Sequence, residues 1–414
     1  MNPDFHKEEG NENFNCISST AEDWFYWLQF QEQKWKASYR EMPERFISDY
    51  LHEQALTRDY EGREVLELLQ NASDAAAEAK ISGKVCIDLS PDGLVIANTG
   101  APFTQEGVLS LQLTDISPKR HRRDQYVGNK GLGFRAVLNW SKYPIILSGG
   151  LRIAYSQQDL EKRIKILVEG NPKLGDSIQK EKEDSSSLIA PVLAFPGYTQ
   201  NGDLQPVIQN ENGKKIYNKC LDLISAGYTT TIGMPFDQQD AYENAKAQIT
   251  SLKPELLLFI PSLDEIVIKY EAEPERHWKR EADETHIRVL IDGELSKEWR
   301  VYRKTGIIPA EIQKSSQIQW QYFEIAVAVP ETIIENRYPL YCYFPLDITL
   351  PLPCVCHATL DLAQNRNHLH NNEVNNFVVQ KLAELLAIVA ESQVKIVCPD
   401  ELKNHLGPEQ GQYH

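Results

Sequence analysis

Apolar residues return at helical spacing from residue 20 onward, in TAEDWFYWLQFQEQKWKASYREM, which predicts a helix over 20–42 carrying three of the seven tryptophans. Residues 1–18 before it are polar, charged and aperiodic, and are expected to be disordered. A second helix is predicted over 61–80, EGREVLELLQNASDAAAEAK. The short runs KVCIDLS and GLVIANTG then read as two strands joined by a Pro-Asp-Gly turn. YPIILSGG and LRIAYS read as a second hairpin, and APVLAFP and TTTIGMPF as further strands. Residues 104–126 form a polar loop, and 156–187, ending in QKEKEDSSS, a charged surface insertion.

Near residue 250 the pattern changes. SLKPELLLFIPSLDEIVIKYE predicts a helix turning into a strand, with strands following near 286–291, 297–303 and 321–329. The run YCYFPLDITLPLPCVCHATLDL precedes a polar loop, AQNRNHLHNN, and an amphipathic helix over 373–394 closes the pattern. There is no internal repeat. The order predicts an α+β fold with a disordered segment 1–18, a first domain over 19–245 and a smaller α/β domain over 246–414.

The 414 residues suffice for two or three domains, and 42% hydrophobic with 25% charged content is ordinary for a globular chain. The formal charge of −16 argues against a general grip on nucleic acid or an acidic membrane. Seven cysteines are too few and scattered for a disulfide scaffold. Cys354 and Cys356 alternate in a strand-like run and lack the spacing of a zinc site, so they read as buried strand residues. No apolar run is long enough to span a membrane and the first residues lack a signal-peptide core, so a cytoplasmic protein is the default expectation.

Candidate chemistry concentrates between residues 61 and 140. On a helix, Glu67, Asn71 and Asp74 fall at i, i+4 and i+7 and share one face, with Leu66, Leu69, Ala72 and Ala76 on another. An amphipathic surface helix has the same pattern. A carboxamide oxygen such as that of Asn71 also suits Mg²⁺, and a carboxylate one turn earlier can orient or deprotonate a water. In LVIANTGAPFT a strand ends on Asn98 beside Gly100, which suits recognition of a flat base edge or simply terminates the strand. In VGNKGLGFRAVL, Gly128, Gly131 and Gly133 surround Lys130 and lead into a helix-like run through Phe134 and Arg135. Bare backbone at a helix start suits a phosphate cradle or a plain turn.

Taken in order, these segments resemble the GHKL ATPases, the superfamily of the heat-shock chaperone ATPases, MutL, type II topoisomerases and histidine kinases. The resemblance covers at least residues 61–140, with weaker echoes to 236. GREVLELLQNASDA, VGNKGLGFRAVL and YPIILSGG look most like the heat-shock chaperone branch, and within it the N-terminal ATPase modules of sacsin-like proteins. The resemblance implies a Bergerat fold, a two-layer α/β sandwich, followed by a domain similar to the chaperone middle domain. It makes Glu67 the residue that activates the hydrolytic water, Asn71 the Mg²⁺ ligand and the second glycine box the wrap around the phosphates. Asn98 stands where the family usually has an aspartate that accepts from the adenine amino group; asparagine keeps an acceptor oxygen but adds a donor. Pro102 and Phe103 depart from a usual glycine and methionine in the same turn. Thr230 occupies the family's threonine position near adenine, and residues 104–127 correspond to the ATP lid.

In DLAQNRNHL, Arg366 resembles the middle-domain arginine that reaches the γ-phosphate, and is equally well a surface arginine. His368 and His370 read as exposed loop residues and His357 as a core histidine. The cluster Lys119, Arg120, His121, Arg122 and Arg123 reads as a solvated lid face, or else as a contact for phosphate. The resemblance implies an ATP- and Mg²⁺-dependent conformational switch with slow hydrolysis, acting on a protein client or partner subunit, with a nucleotide-dependent dimer among its possible assemblies. Two alternatives stand beside it. One is a nucleic-acid-linked ATPase of a bacterial defence system, using Lys119, Arg120, Arg122 and Arg123. The other is a nucleotide-sensing scaffold that does not hydrolyse.

Overall fold

The computed structural model describes residues 20–112, 133–181, 188–260, 262–271, 273–318, 320–332, 337–363 and 369–397. The expected disordered segment, the basic cluster 119–123, Gly128, Lys130, Gly131, Arg366 and His368 all lie outside these residues.

Helix α1 (Ala21–Glu41) opens on a capping box, in which Thr20 and Asp23 each bond the other's backbone N–H. Pro43 starts α2 (Pro43–Asp59), where its missing N–H costs nothing. Helix α3 (Glu64–Ala79) ends where Lys80 turns left-handed at φ 55°. Strands β1 (Gly83–Ser90) and β2 (Gly93–Asn98) follow as the expected hairpin, with Ile87 opposite Ile96. The stretch expected to be a polar loop from 104 begins instead as a helix, α4 (Gln105–Gln112), because Val108 and Leu111 fall on one buried face. A 3₁₀ turn over Gly133–Asn139 leads to β3 (Ile145–Ser148) and β4 (Leu151–Ala154).

The segment read as a surface insertion folds into α5 (Gln157–Glu169) and α6 (Pro172–Glu181). Leu160, Ile164, Leu167, Leu174 and Ile178 form one stripe across both, packed on Trp35, Tyr39 and Phe46. APVLAFP is not a strand. It makes a short 3₁₀ turn, Val192–Ala194, because the buried Glu53 carboxylate accepts the N–H groups of Val192 (2.7 Å) and Leu193 (3.1 Å). Those two donors are thereby removed from any strand ladder.

Helix α7 (Glu211–Ser225), β5 (Thr230–Pro235) and α8 (Ala241–Ser251) complete the first half. Beyond a 3₁₀ turn at Pro254–Leu258 come β6 (Leu263–Tyr270), β7 (Arg276–Ala282), β8 (His286–Ile291) and β9 (Glu294–Ile307). Next are α9 (Ala310–Ser315), β10 (Tyr322–Pro330), β11 (Tyr338–Cys342), β12 (Phe344–Leu350), β13 (Val355–Ala358) and the long α10 (Glu373–Val397). The fold is mixed α+β, and its strands form one large mixed sheet in the order β12-β11-β13-β10-β9-β8-β7-β6-β1-β2-β5-β3-β4. The sheet crosses the boundary expected near residue 245, because β6 pairs in parallel with β1, Ile87 opposite Ile268.

In the first half both faces of the sheet are covered, rather than the single face that a two-layer sandwich covers. Val85, Ile87, Leu94, Ile96, Ile146 and Ile232 pack under α3 and α8. Cys86, Val95, Ala97, Ile145 and Leu147 pack against Ile216, Tyr217 and Cys220 of α7. Strands apolar on both sides demand cover on both sides, and each fully buried aliphatic side chain contributes about 1.5–3 kcal/mol. In the second half, Val374, Val378, Leu382 and Leu385 of α10 close a separate core over β10, β11 and β13. Cys356 is buried there, with its sulfur 4.0 Å from that of Cys354.

Candidate functional site

Helix α3 buries Leu68, Leu69, Ala72 and Ala76 in the central core, while Leu66 is only half-buried. Its polar stripe is not a solvated face: Glu67 and Asp74 are buried and Asn71 is half-buried. Arg63, one turn before Glu67 and also buried, brings its Nε to 3.9 Å from the Glu67 carboxylate. Glu64 is a further buried carboxylate. It accepts from Asn139 Nδ2 (2.9 Å) and from the side chain of Gln248, and burial pushes its carboxyl up.

Gly133 opens the 3₁₀ turn that faces this stripe. A Cβ built on it would lie 2.0 Å from Glu67 Oε2, so the Glu67 carboxylate occupies the space a side chain would take. Phe134, the next residue, belongs to the central core rather than to an open surface.

The turn after β2 is docked onto the same helix. Gly100 has φ +130°, and a Cβ there would meet the Ala75 backbone at 2.6 Å. Ala101 N–H donates to Ala75 C=O at 2.8 Å, one residue beyond Asp74.

This turn carries Asn98 at the sheet end. Asn98 pairs with Thr230 across β2 and β5, and Ser148 pairs with Thr230 across β3 and β5. Side chains alternate across a strand. Asn98 therefore shares a face with Ile96, Thr230 with Ile232, and Ser148 with Ile146, all of which pack under α3. Three polar side chains thus close the α3 side of the sheet in one row. Thr230 rather than Thr231 is the member that faces α3. The row is bonded: Ser148 Oγ lies 2.6 Å from Thr230 Oγ1 and accepts the Phe103 N–H at 2.9 Å. Asn98 Nδ2 donates to Thr99 C=O at 3.0 Å, which turns its carboxamide oxygen away from that carbonyl.

The structure therefore brings together Glu67 with Gly133, and Asn98 with Thr230. It docks Gly100 on the helix that carries Asn71 and Asp74. Sequence reasoning missed Ser148, whose only signal is a hydroxyl closing the apolar run YPIIL, and Glu64, whose isolated carboxylate has none. His357 is a core residue as expected. It is fully buried between Phe259 and Tyr343, its Nδ1 accepts the Tyr343 N–H at 3.1 Å, and burial pushes it down to about 3. His370 is exposed. Among the described residues no group of three His, Cys, Asp or Glu side chains is arranged to hold a metal ion. A cleft lined by Tyr143, Asn210, Phe236 and Asp237 lies at the opposite end of β5 from Thr230 and shares no residue with this site. Among the described residues no helix is long and apolar enough to cross a membrane.

Fold and site together define a mixed α+β protein with a buried polar row at one sheet end and a carboxylate-bearing helix above it. No protein-family model matches the chain. Over 209 residues, 50% of its length, the chain is 24% identical to Protein NO VEIN of Arabidopsis thaliana. That stretch spans 6% of the plant protein's length.

Proposed function

We propose that the chain binds ATP with Mg²⁺, hydrolyses it slowly and works as an ATP-driven conformational switch, as its resemblance to the GHKL ATPases implies. The observation that carries this reading is the docking of the β2 turn onto α3 through Gly100. It sets the Asn98–Thr230–Ser148 row against the helix that bears Glu67, Asn71 and Asp74. An acceptor and hydroxyls in a row at a sheet end suit the polar edge of a purine. A half-buried carboxamide oxygen beside a buried carboxylate is a hard-oxygen donor set of the kind Mg²⁺ takes. The residues described therefore fit the group.

Asn71 would hold Mg²⁺, which would supply positive charge to offset that of the phosphate. Glu67 accepts the proton of the water that attacks the terminal phosphorus, as the bond to the departing ADP oxygen breaks. Arg63 keeps the Glu67 carboxylate paired and oriented, and the absent Cβ of Gly133 leaves it room. A buried glutamate with an arginine beside it and a glycine facing it favours turnover over a non-hydrolysing scaffold. The protein client or partner subunit belongs to the same proposal.

Calorimetry and single-turnover hydrolysis of two variants test the assignment. Asn71→Ala should abolish the Mg²⁺-dependent part of ATP binding. Glu67→Ala should keep binding and lose turnover by about 10²-fold or more. If both hydrolyse ATP like the parent protein, the assignment of the site is wrong.

A further inference from the structure

We infer that the N-terminal helices α1 and α2 are a working part of this site, with Trp35, Gln112 and Arg135 as positioning residues; the inference rests on the nucleotide reading above. Two buried polar contacts carry it, with two part-buried ones beside them. The Trp35 indole N–H donates to Gln112 Oε1 at 3.2 Å, and both residues are buried. Gln112 is the last residue of α4, where helix carbonyls run out of intrahelical partners. The carbonyl beside it, that of Leu111, accepts from Arg135 Nη2 at 2.9 Å. Arg135 is 1% exposed and stands two residues after Gly133, in the turn that faces Glu67. A cation at a helix C-terminus is favoured by the helix dipole.

The same turn is held by α2 from its other end. Asn139 Nδ2 donates to Thr57 C=O (3.0 Å) and to Glu64 (2.9 Å). Arg135 also offsets the charge of Glu53 on α2. The helical pair therefore holds the end of α4 through Trp35 and the Asn139 end of the turn through Thr57, and Arg135 ties the turn back to α4. Gly133 in turn sets the space available to the Glu67 carboxylate. Apolar packing alone could anchor two surface helices. Buried hydrogen bonds are directional and costly to leave half-made, so they fix position as well as association.

A double-mutant cycle on the full chain tests this, with ATP affinity in Mg²⁺ and Tm read together. Trp35→Phe keeps a ring beside Tyr39, on which Trp35 stacks at 5.8 Å, and leaves Gln112 Oε1 unpaired. Gln112→Leu leaves the indole N–H unpaired. Each single variant should weaken ATP binding roughly three- to tenfold, and the double variant, which removes both polar partners, should recover most of the loss. Arg135→Lys, which keeps the charge and changes the geometry, should weaken binding to a similar extent and serves if Trp35→Phe does not fold. Parental affinity in all three variants, with only Tm lowered, would reduce α1 and α2 to scaffold and overturn the inference alone. Failure of the parent protein to bind ATP overturns the nucleotide reading and this inference with it.

Discussion

Gly133→Ala isolates the contact on which the catalytic reading depends. The φ of Gly133 lies outside the left-handed region, so alanine meets no backbone penalty there. Its Cβ would fall 2.0 Å from Glu67 Oε2, 2.8 Å from Cδ and 3.1 Å from Cγ. An ordinary contact needs about 3.5 Å, so the carboxylate has to recede by roughly 1.5 Å. Glu67 is buried on a helix packed into the core, so it has little free volume to enter. The overpacking should cost about 1–3 kcal/mol. Misplacing a reacting group by about 1 Å costs on the order of 10²-fold in rate. The variant should therefore fold with a modestly lower Tm, bind Mg·ATP near parental affinity and lose about two orders of magnitude in kcat. Thermal unfolding, calorimetry and single-turnover hydrolysis separate these outcomes. A variant with lowered Tm and unchanged kcat would show that Glu67 is not the residue that accepts the proton.

Two further perturbations follow from particular atoms. Asn98→Asp replaces the Nδ2 donor to Thr99 C=O by an oxygen in a buried position; the facing acceptors should cost roughly 1–3 kcal/mol and lower Tm, whereas an unchanged Tm would mean that the Nδ2 donation to Thr99 contributes nothing to stability. Burial pushes the Glu53 carboxyl up to about 7, against the Val192 and Leu193 N–H groups and Arg135, which act to lower it, while Asp49 adds to the rise. The folded state thus holds that proton more tightly than the unfolded chain. This contribution is complete below the ordinary value of 4.5 and fades as pH rises to about 7. The Tm of Glu53→Gln should lose that downward component between pH 4.5 and 7, and parallel Tm–pH curves for the two proteins would contradict the assignment.

Elements that carry their own period were legible from sequence. The polar stripe of α3, the β1–β2 hairpin and the amphipathic α10 each follow from local spacing alone. What failed depends on partners distant in the chain. APVLAFP has strand composition, yet Glu53, about 140 residues earlier, takes its N–H groups and leaves a 3₁₀ turn. The charged stretch 156–187 hides an apolar stripe that matters only because Trp35, Tyr39 and Phe46 meet it. Strand β7 went unseen because it buries only Trp278 among exposed and half-buried charges, and is held by ladder bonds to β6 and β8. The pairing of β6 with β1 has no local signal at all, since parallel neighbours are joined through tertiary contacts. At the site, Asn98, Thr230 and Gly133 were visible as motif positions. Ser148 was not, because its meaning comes from register across two strands.

The most direct test of the central claim is a calorimetric titration of ATP into the purified chain, with and without Mg²⁺. The account predicts saturable binding in the micromolar range that depends on the metal. Absence of heat with ATP, and equally with ADP and GTP, would contradict it and leave the Asn98–Thr230–Ser148 row and the Glu67–Gly133 contact as features of the core.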